Sequence, residues 1–72
     1  MRITYDPVVD AAYIYFTEDE PVEVTTIRIT EDIAVDLGPG ERIVGIEVLD
    51  ASIHLGLSRT EPKVKLENLQ PA

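Results

Sequence analysis

Apolar and polar residues alternate along most of the first fifty positions, a period that is typical of β-strands rather than of helices. The alternation predicts strands over residues 2–5, 11–17 and 22–30. Within the third run the apolar positions change parity after Val24. Such a change of face within one strand predicts a β-bulge near Thr25 and Thr26.

The segment 33–49, IAVDLGPGERIVGIEVL, contains two further alternating runs around Gly-Pro-Gly, which is a β-hairpin pattern. Pairing Leu37 with Arg42 across the loop sets Val35 opposite Val44 and Ile33 opposite Ile46 on one side of the sheet, and leaves Ile43 and Leu49 on the other. On the opposite side this register sets Ala34 across from Gly45. Two small residues in adjacent strands predict a shallow groove that a helix or another backbone can approach closely.

Turn and helix signals separate the strands. Asp6 followed by Pro7 predicts a capped single helical turn before the second strand, with Asp10 ending the turn or accepting its backbone N–H groups. After the hairpin, Asp50 or Ser52 is the predicted N-cap of a helix of barely two turns, and the glycine that follows ends it.

These elements predict an α+β fold that is mostly β: an antiparallel β-meander of four to five strands with one short C-terminal helix. Residues 1–58 form a single β-rich domain, and residues 59–72 form a C-terminal tail. In the tail, Val64 and Leu66 alternate with charged residues. The tail is therefore expected to add an edge strand or to serve as a mobile arm that docks on a partner.

Neither side of the predicted sheet is plainly polar. In the second strand, for example, one side carries Ile14 and Phe16 and the other carries Tyr13 and Tyr15. An antiparallel sheet with one wetted face alternates cleanly, and a helix of two turns is too small to cover what remains. We therefore expect a homodimer with a sheet face or edge at its interface.

Charge and composition narrow the choice of partner. The 72 residues have a formal net charge of −8, and residues 1–58 contain three Lys/Arg against twelve Asp/Glu. Because nucleic acids are bound chiefly through cationic side chains on phosphates, we expect no nucleic-acid partner, and a basic protein or a cation instead. The absence of cysteine excludes disulfides and thiolate metal sites but gives no compartment signal. The chain shows neither a signal-peptide pattern nor a membrane-spanning apolar run, which predicts a cytoplasmic protein without membrane association.

Carboxylates are the only abundant functional groups. Asp36 and Glu47 share a predicted sheet face and Asp50 follows the last strand, so the three are candidates for a divalent-cation site. Their spacing matches no calcium-binding loop, and we assign no metal and no cofactor. Glu47 stands among apolar residues, and if it is buried it requires a partner, with Arg28 or Arg42 the natural candidates.

Catalytic groups are scarce. Acyl transfer requires a nucleophile with a base within hydrogen-bonding reach. The single histidine, His54, follows Ser52 by two positions, a spacing that places the two on different faces of a helix. We assign no catalytic residue. The tyrosines near the N-terminus, including Tyr13 and Tyr15, are interpreted as amphipathic core residues with hydroxyls at the rim, or alternatively as the lining of a ligand cleft.

Two motifs carry a resemblance to a known family: YDPVVDAAYI from residue 5 and VGIEVLDAS from residue 44. They resemble the small bacterial and archaeal family catalogued as domain of unknown function 2283, also called YuzE-like, over about residues 1–55. LGPGER, from residue 37, departs from the acidic Asp-Gly turn usual in the family. The matching positions that we interpret as a structural motif are Tyr5, Asp6, Pro7, Asp10, Gly45 and Ser52.

The resemblance implies a small antiparallel β-domain with a C-terminal helix, no assigned activity and an antitoxin-like association with a basic toxin. We therefore expect an acidic binding module without catalytic activity, an antitoxin-like or adaptor protein that acts on a basic protein partner. Two alternatives stay open: a cation- or small-ligand-binding protein, or enzyme, that uses the carboxylate cluster, and a purely structural or oligomerising domain. The candidate partner- or ligand-binding residues are Asp36, Glu47, Asp50, Tyr13 and Tyr15.

Overall fold

A computed structural model of the chain describes residues 1–18 and 23–68. This part of the chain contains five strands and one short α-helix, with a 3-10 turn at Pro39–Glu41 between the fourth and fifth strands. Its elements are β1 (Arg2–Asp6), β2 (Ala11–Tyr15), β3 (Thr25–Arg28), β4 (Ile33–Leu37), β5 (Ile43–Leu49) and α1 (Ala51–His54). No helix in these two ranges is long and apolar enough to cross a membrane.

All five strands form one antiparallel sheet in the order β1-β2-β5-β4-β3. The mostly β fold with an antiparallel sheet and one short helix is therefore confirmed. The connectivity is a hairpin, β1-β2, joined to a three-stranded meander, β3-β4-β5, whose last strand returns to pair with β2. As a result β1 and β3 are the two edges, and β5 is the central strand, between β2 and β4.

The register between β4 and β5 differs by two residues from the predicted one. The loop takes up residues 38–42, closed by the Gly38 N–H that donates to the Arg42 carbonyl at 2.8 Å, so Leu37 pairs with Ile43. A bulge at Asp36/Leu37 then adds one more residue of shift. Because a shift of two preserves the face of each side chain, the predicted facing of residues 33–36 is retained while their partners change. Leu37 lies beyond the bulge, where the shift is one, and it pairs with Ile43, a residue predicted on the opposite side.

The predicted bulge at Thr25 and Thr26 is wrong, because both residues pair regularly with β4. Val24 lies before β3, so the change of parity falls at the start of the strand rather than inside it. Val22, at the start of the predicted strand, lies outside the described residues. The irregularity of the sheet is at Asp36/Leu37, next to the loop.

The sheet separates charge from apolar side chains more completely than the sequence pattern indicated. Alternation along the paired strands defines two faces. The apolar face carries Ile3, Tyr5, Ala12, Ile14, Thr25, Ile27, Ile33, Val35, Leu37, Ile46 and Val48. The polar face carries every charged residue of the five strands, namely Arg2, Asp6, Arg28, Asp36 and Glu47, together with Tyr13 and Tyr15.

The core is small and lies at one end of the apolar face. Ala12 and Val48 from the sheet pack with Ala51 of α1 and with Leu57 beyond it, and Tyr5 and Ile46 line the same cluster. No large side chain among the described residues is fully buried. The short helix therefore covers the end of the sheet without completing a core.

The described part of the tail, residues 59–68, has no strand or helix, so the predicted edge strand is not seen there. The tail begins docked on the body, because Arg59 Nη2 donates to the Pro7 carbonyl at 2.8 Å. The last predicted tail residues, 69–72, lie outside the described residues.

Candidate functional site

The polar face is organised around the ring of Tyr13, which crosses β5 to reach β4. Its hydroxyl donates to Asp36 Oδ2 at 2.5 Å. The ring lies directly over Gly45, where a Cβ atom would collide with ring and hydroxyl atoms. Gly45 thus creates the predicted groove, but a tyrosine from the neighbouring strand fills it, and Ala34 faces Glu47 rather than Gly45.

Asp36 also accepts a hydrogen bond from the other side, from Thr26 Oγ1 at 2.6 Å. The carboxylate therefore links the second, fourth and third strands through side chains. Burial of the Tyr13 hydroxyl and its hydrogen bond to Asp36 raise the pKa of Tyr13 well above its usual value. Tyr13 consequently stays a neutral donor across the physiological pH range.

The network continues towards the β1 edge through stacked rings. Tyr13 and Tyr15 have ring centroids 4.5 Å apart at 53°. The guanidinium carbon of Arg2 lies 4.1 Å from the centroid of the Tyr15 ring, a cation–π contact. The interpretation of Tyr13 and Tyr15 as core residues is therefore wrong: alternation puts them on the opposite face of the sheet from the core cluster.

Glu47 pairs with Arg28, as the sequence suggested. Arg28 Nη2 lies 3.6 Å from Glu47 Oε1, and the two side chains are about half exposed, at 50% and 44%. Arg28 reaches across β4 at Ala34, where the small side chain leaves room, in the same way that Tyr13 crosses β5 at Gly45. An exposed pair of this kind adds about 0–1 kcal/mol to stability, so its main effect is to orient Glu47.

A depression of about 300 Å³ opens beside this network, between β1, β2 and β5. Thr4, Asp6, Tyr13 and Glu47 are among its lining residues. It presents carboxylates from two different strands next to an aromatic ring. This combination suits a cationic side chain better than an anionic one.

Asp50 does not join the polar-face carboxylates in a metal site. Among residues 1–18 and 23–68, no group of three acidic or histidine side chains is arranged to hold a metal ion. Asp50 precedes α1 in a left-handed conformation (φ 50°), and its side chain makes no capping hydrogen bond. The structure therefore brings together Asp36, Glu47, Tyr13 and Tyr15 but leaves Asp50 apart.

A second cluster joins the two sequence motifs. Asp10 is nearly buried, at 7% exposure, and its Oδ1 accepts the Tyr5 hydroxyl at 2.6 Å and the Ser52 N–H at 3.0 Å. Its Oδ2 accepts the Ser52 hydroxyl at 2.6 Å, and its carbonyl accepts the Ala51 N–H at 2.9 Å. The helix is thus capped by an aspartate 42 positions away, and the prediction that Asp50 or Ser52 caps it is wrong.

Residues 7–10 form a turn, at the place where a single helical turn was predicted. Asp6 does act as its cap, because Asp6 Oδ1 accepts the Val8 N–H at 2.9 Å. Asp10 ends the turn with φ 54°, a left-handed conformation that Asp tolerates better than most residues. In this conformation the Asp10 carboxylate accepts the hydrogen bonds from Ser52 of α1.

Hydrogen bonds from Ser52 and Tyr5 hold the pKa of Asp10 below its usual value of 3.8. They stabilise the ionised form, so their contribution is complete above pH 3.8 and is lost as pH falls through the lower folded-state pKa. We expect the stability advantage of the native chain over D10N to shrink below pH 3.8, as measured by urea midpoints from pH 7 downwards. The same comparison with D50N is the control, and parallel curves for D10N and the native chain would contradict the assignment.

Sequence reasoning missed the partners that complete these clusters: Arg2, Thr26 and, at the helix, Asp32. His54 Nε2 lies 2.9 Å from Asp32 Oδ2, while Ser52 is bonded to Asp10, so His54 and Ser52 serve separate contacts. Strand pairing was the signal that could have revealed Thr26 opposite Asp36. Recognising this pair required the β3-β4 register, which could not be deduced from the sequence pattern.

Comparison with known families gives one match to the chain. The family model described as "Protein of unknown function (DUF2283)" matches residues 2–52. The chain belongs to the DUF2283 family. The match ends at Ser52, so it includes both motifs and all three residues of the Tyr5–Asp10–Ser52 cluster. Comparison with curated proteins and with solved structures gives no significant match.

Proposed function

We propose that this DUF2283 member is a non-catalytic binding module that engages a basic protein partner through the polar face of its sheet. The observation that carries the proposal is the gathering of every charged strand residue on that face, beside two tyrosines held in place by hydrogen bonding and stacking. Tyrosines and arginines are enriched where proteins bind one another.

The charge of the chain supports a cationic partner. Residues 1–58 carry three Lys/Arg against twelve Asp/Glu. The polar face of the strands carries three carboxylates against two arginines, and of these carboxylates Asp6 is exposed and Glu47 is half exposed. The depression between them offers a place for a lysine or arginine side chain of the partner. Complementary charge of this kind mainly raises the association rate and the specificity of a complex.

The contacts of the hydroxyl and imidazole groups favour binding over catalysis. The Ser52 hydroxyl donates to the Asp10 carboxylate at the helix end, and His54 contacts Asp32. Both side chains thus have roles in fixing α1. An antitoxin-like role, which the family resemblance suggested, is one form that this proposal takes, and an adaptor role is another; in both we propose that the chain acts in the cytoplasm.

The experiment is a pull-down with the tagged chain from extract of its source organism, washed at low and high salt, with bound proteins identified by mass spectrometry. We expect a stoichiometric basic protein that is released at high salt, because screening weakens association between opposite charges. With the purified partner, the association rate should fall on the order of tenfold between low and high salt.

Two matched variants localise the binding. D6N/E47Q removes two negative charges from the polar face, while E31Q/E41Q removes two from exposed loops elsewhere. We expect slower association for D6N/E47Q and little change for E31Q/E41Q. Equal effects would assign binding to net charge alone and overturn the polar-face site, and recovery of the chain without any partner would overturn the proposal itself.

A further inference from the structure

The arginines of the polar face show which cationic group this surface holds. The strands contain two cations, Arg2 and Arg28, and both lie on the polar face. Arg2 places its guanidinium over the Tyr15 ring, and Arg28 places its guanidinium beside the Glu47 carboxylate. An aromatic ring and a carboxylate of this face are thus each paired with a guanidinium from the same chain.

Glu47 keeps its hydrogen-bonding capacity for a further group. Arg28 is fixed by its own loop, because its Nη1 donates to the Glu31 carbonyl at 2.9 Å. Its Nη2 lies 3.6 Å from Glu47 Oε1, which makes an ion pair but is too long for a hydrogen bond. Among residues 1–18 and 23–68, Arg28 is the only ionic or hydrogen-bonding partner of the Glu47 side chain. Both carboxylate oxygens are therefore open to a donor from outside the chain.

The depression beside Glu47 gives that donor its shape. Asp6 of β1 and Glu47 of β5 both line it, and Ala11 and Tyr13 line it from β2, the strand between them. Val9, from the preceding turn, adds an aliphatic wall that is 64% exposed. An arginine side chain has an apolar stem that packs on such residues and a guanidinium that binds a carboxylate through two parallel hydrogen bonds.

We propose that this depression takes an arginine side chain of the basic partner, with its guanidinium on Glu47 and its stem over Val9 and Ala11. The inference rests on the proposed function and specifies which cation of the partner the polar face selects. Lysine suits the depression less well, because its ammonium is a strongly hydrated point charge that does not bind a carboxylate through two parallel bonds. The partner should therefore present an arginine where it contacts β1, β2 and β5.

The test compares two peptides by NMR titration of the full, isotope-labelled chain. One peptide carries arginines separated by glycines, and the other carries lysines at the same positions, so that length and charge are equal. We expect the arginine peptide to bind at least about threefold more tightly, because only a guanidinium forms the paired hydrogen bonds. The largest amide shifts should occur at Ala11, Tyr13 and Glu47. Titration to about 10 mM peptide detects dissociation constants in the millimolar range.

Two variants test the position of the arginine. E47Q removes the carboxylate, and A11V fills the floor of the depression without a change of charge. Each should abolish the preference for the arginine peptide. E41Q is the control, because it removes the same charge as E47Q from an exposed loop. It should weaken both peptides alike and keep their ratio, and the NMR spectrum of each variant verifies its fold.

Three results would each overturn the arginine site: equal affinities of the two peptides, no binding of either peptide to the native chain, or a preference for arginine that persists in folded E47Q and A11V. The proposed function fails separately, through the absence of a basic partner or through equal effects of D6N/E47Q and E31Q/E41Q on association. A polar face that binds lysine and arginine alike is thus distinguished from one that binds no partner.

Discussion

Replacing Asp10 with alanine should lower the melting temperature by about 10 °C or more, a large shift for a domain of this size. The carboxylate accepts three hydrogen bonds, two from Ser52 and one from Tyr5, and D10A leaves all three donors without their acceptor. It also removes the side-chain cap of α1, so that of these contacts only the bond from the Ala51 N–H to the Asp10 carbonyl still joins the helix to the β1-β2 turn. Thermal unfolding followed by circular dichroism measures the shift.

Asp50 provides a matched control for this substitution. It also has a left-handed backbone, φ 50° against 54° for Asp10, and its side chain makes no capping hydrogen bond. D50A therefore changes the same charge and the same kind of backbone position without removing the cap. Equal losses for D10A and D50A would show that backbone strain, and not the carboxylate, is what Asp10 contributes.

Variants that remove one hydrogen bond at a time then divide the loss of stability in D10A among its partners. Y5F removes one donor, and S52A removes the hydroxyl donor but keeps the Ser52 backbone N–H. Each should cost clearly less than D10A, because the carboxylate keeps its remaining partners. D10N, which preserves the left-handed preference and one acceptor oxygen, should fall between S52A and D10A.

Local patterns predicted the strands well because each strand shows its own alternation of apolar and polar residues. β1, β2, β4 and β5 lie within or close to the predicted runs, and the left-handed glycine after α1, Gly56, stands where a helix end was expected. Arg28 was one of the two partners named for Glu47 in case it were buried; the two do pair, but the Glu47 side chain is 44% exposed, so burial is not the reason.

Two features were not predicted from the sequence, for different reasons: the β4-β5 register and the cap of α1. The β4-β5 register depended on how many residues the Gly-Pro-Gly loop contains. The loop has five residues, 38–42, including a 3-10 turn with left-handed Gly40 and Glu41, whereas pairing Leu37 with Arg42 had assumed four. The cap of α1 depended on Asp10 reaching a helix 42 positions away. Neither is encoded in a local period, since both require the sheet to be assembled first.

The candidate site was predicted in part. The shared sheet face of Asp36 and Glu47 was predicted correctly, and Tyr13 and Tyr15 lie on the same face. That these residues bind a partner or ligand stays a prediction. The predicted cation cluster of Asp36, Glu47 and Asp50 does not form. Asp50 follows the last strand, and a residue after a strand leaves the face on which the strand ended. The prediction for Gly45 was also incomplete. A small residue indicates that another group approaches closely, but it does not identify that group, which is the Tyr13 ring.

Replacing Gly45 with alanine should lower the free energy of unfolding by about 3 kcal/mol, from overpacking and a lost hydrogen bond. The new Cβ would overlap the Tyr13 ring, so the ring must leave its position over β5 and its bond to Asp36. The backbone itself is no obstacle, because Gly45 is not among the glycines with positive φ. Urea denaturation at neutral pH measures the loss.

A double-mutant cycle with Tyr13 isolates this clash. Once Y13A has removed the ring, G45A should be nearly neutral, because the space above β5 is empty and alanine suits a strand better than glycine does. The coupling energy between the two positions should then be about 2 kcal/mol or more. If G45A costs as much in the Y13A background as in the native chain, the requirement for glycine lies in the backbone of β5, and Tyr13 is not the reason why position 45 must be small.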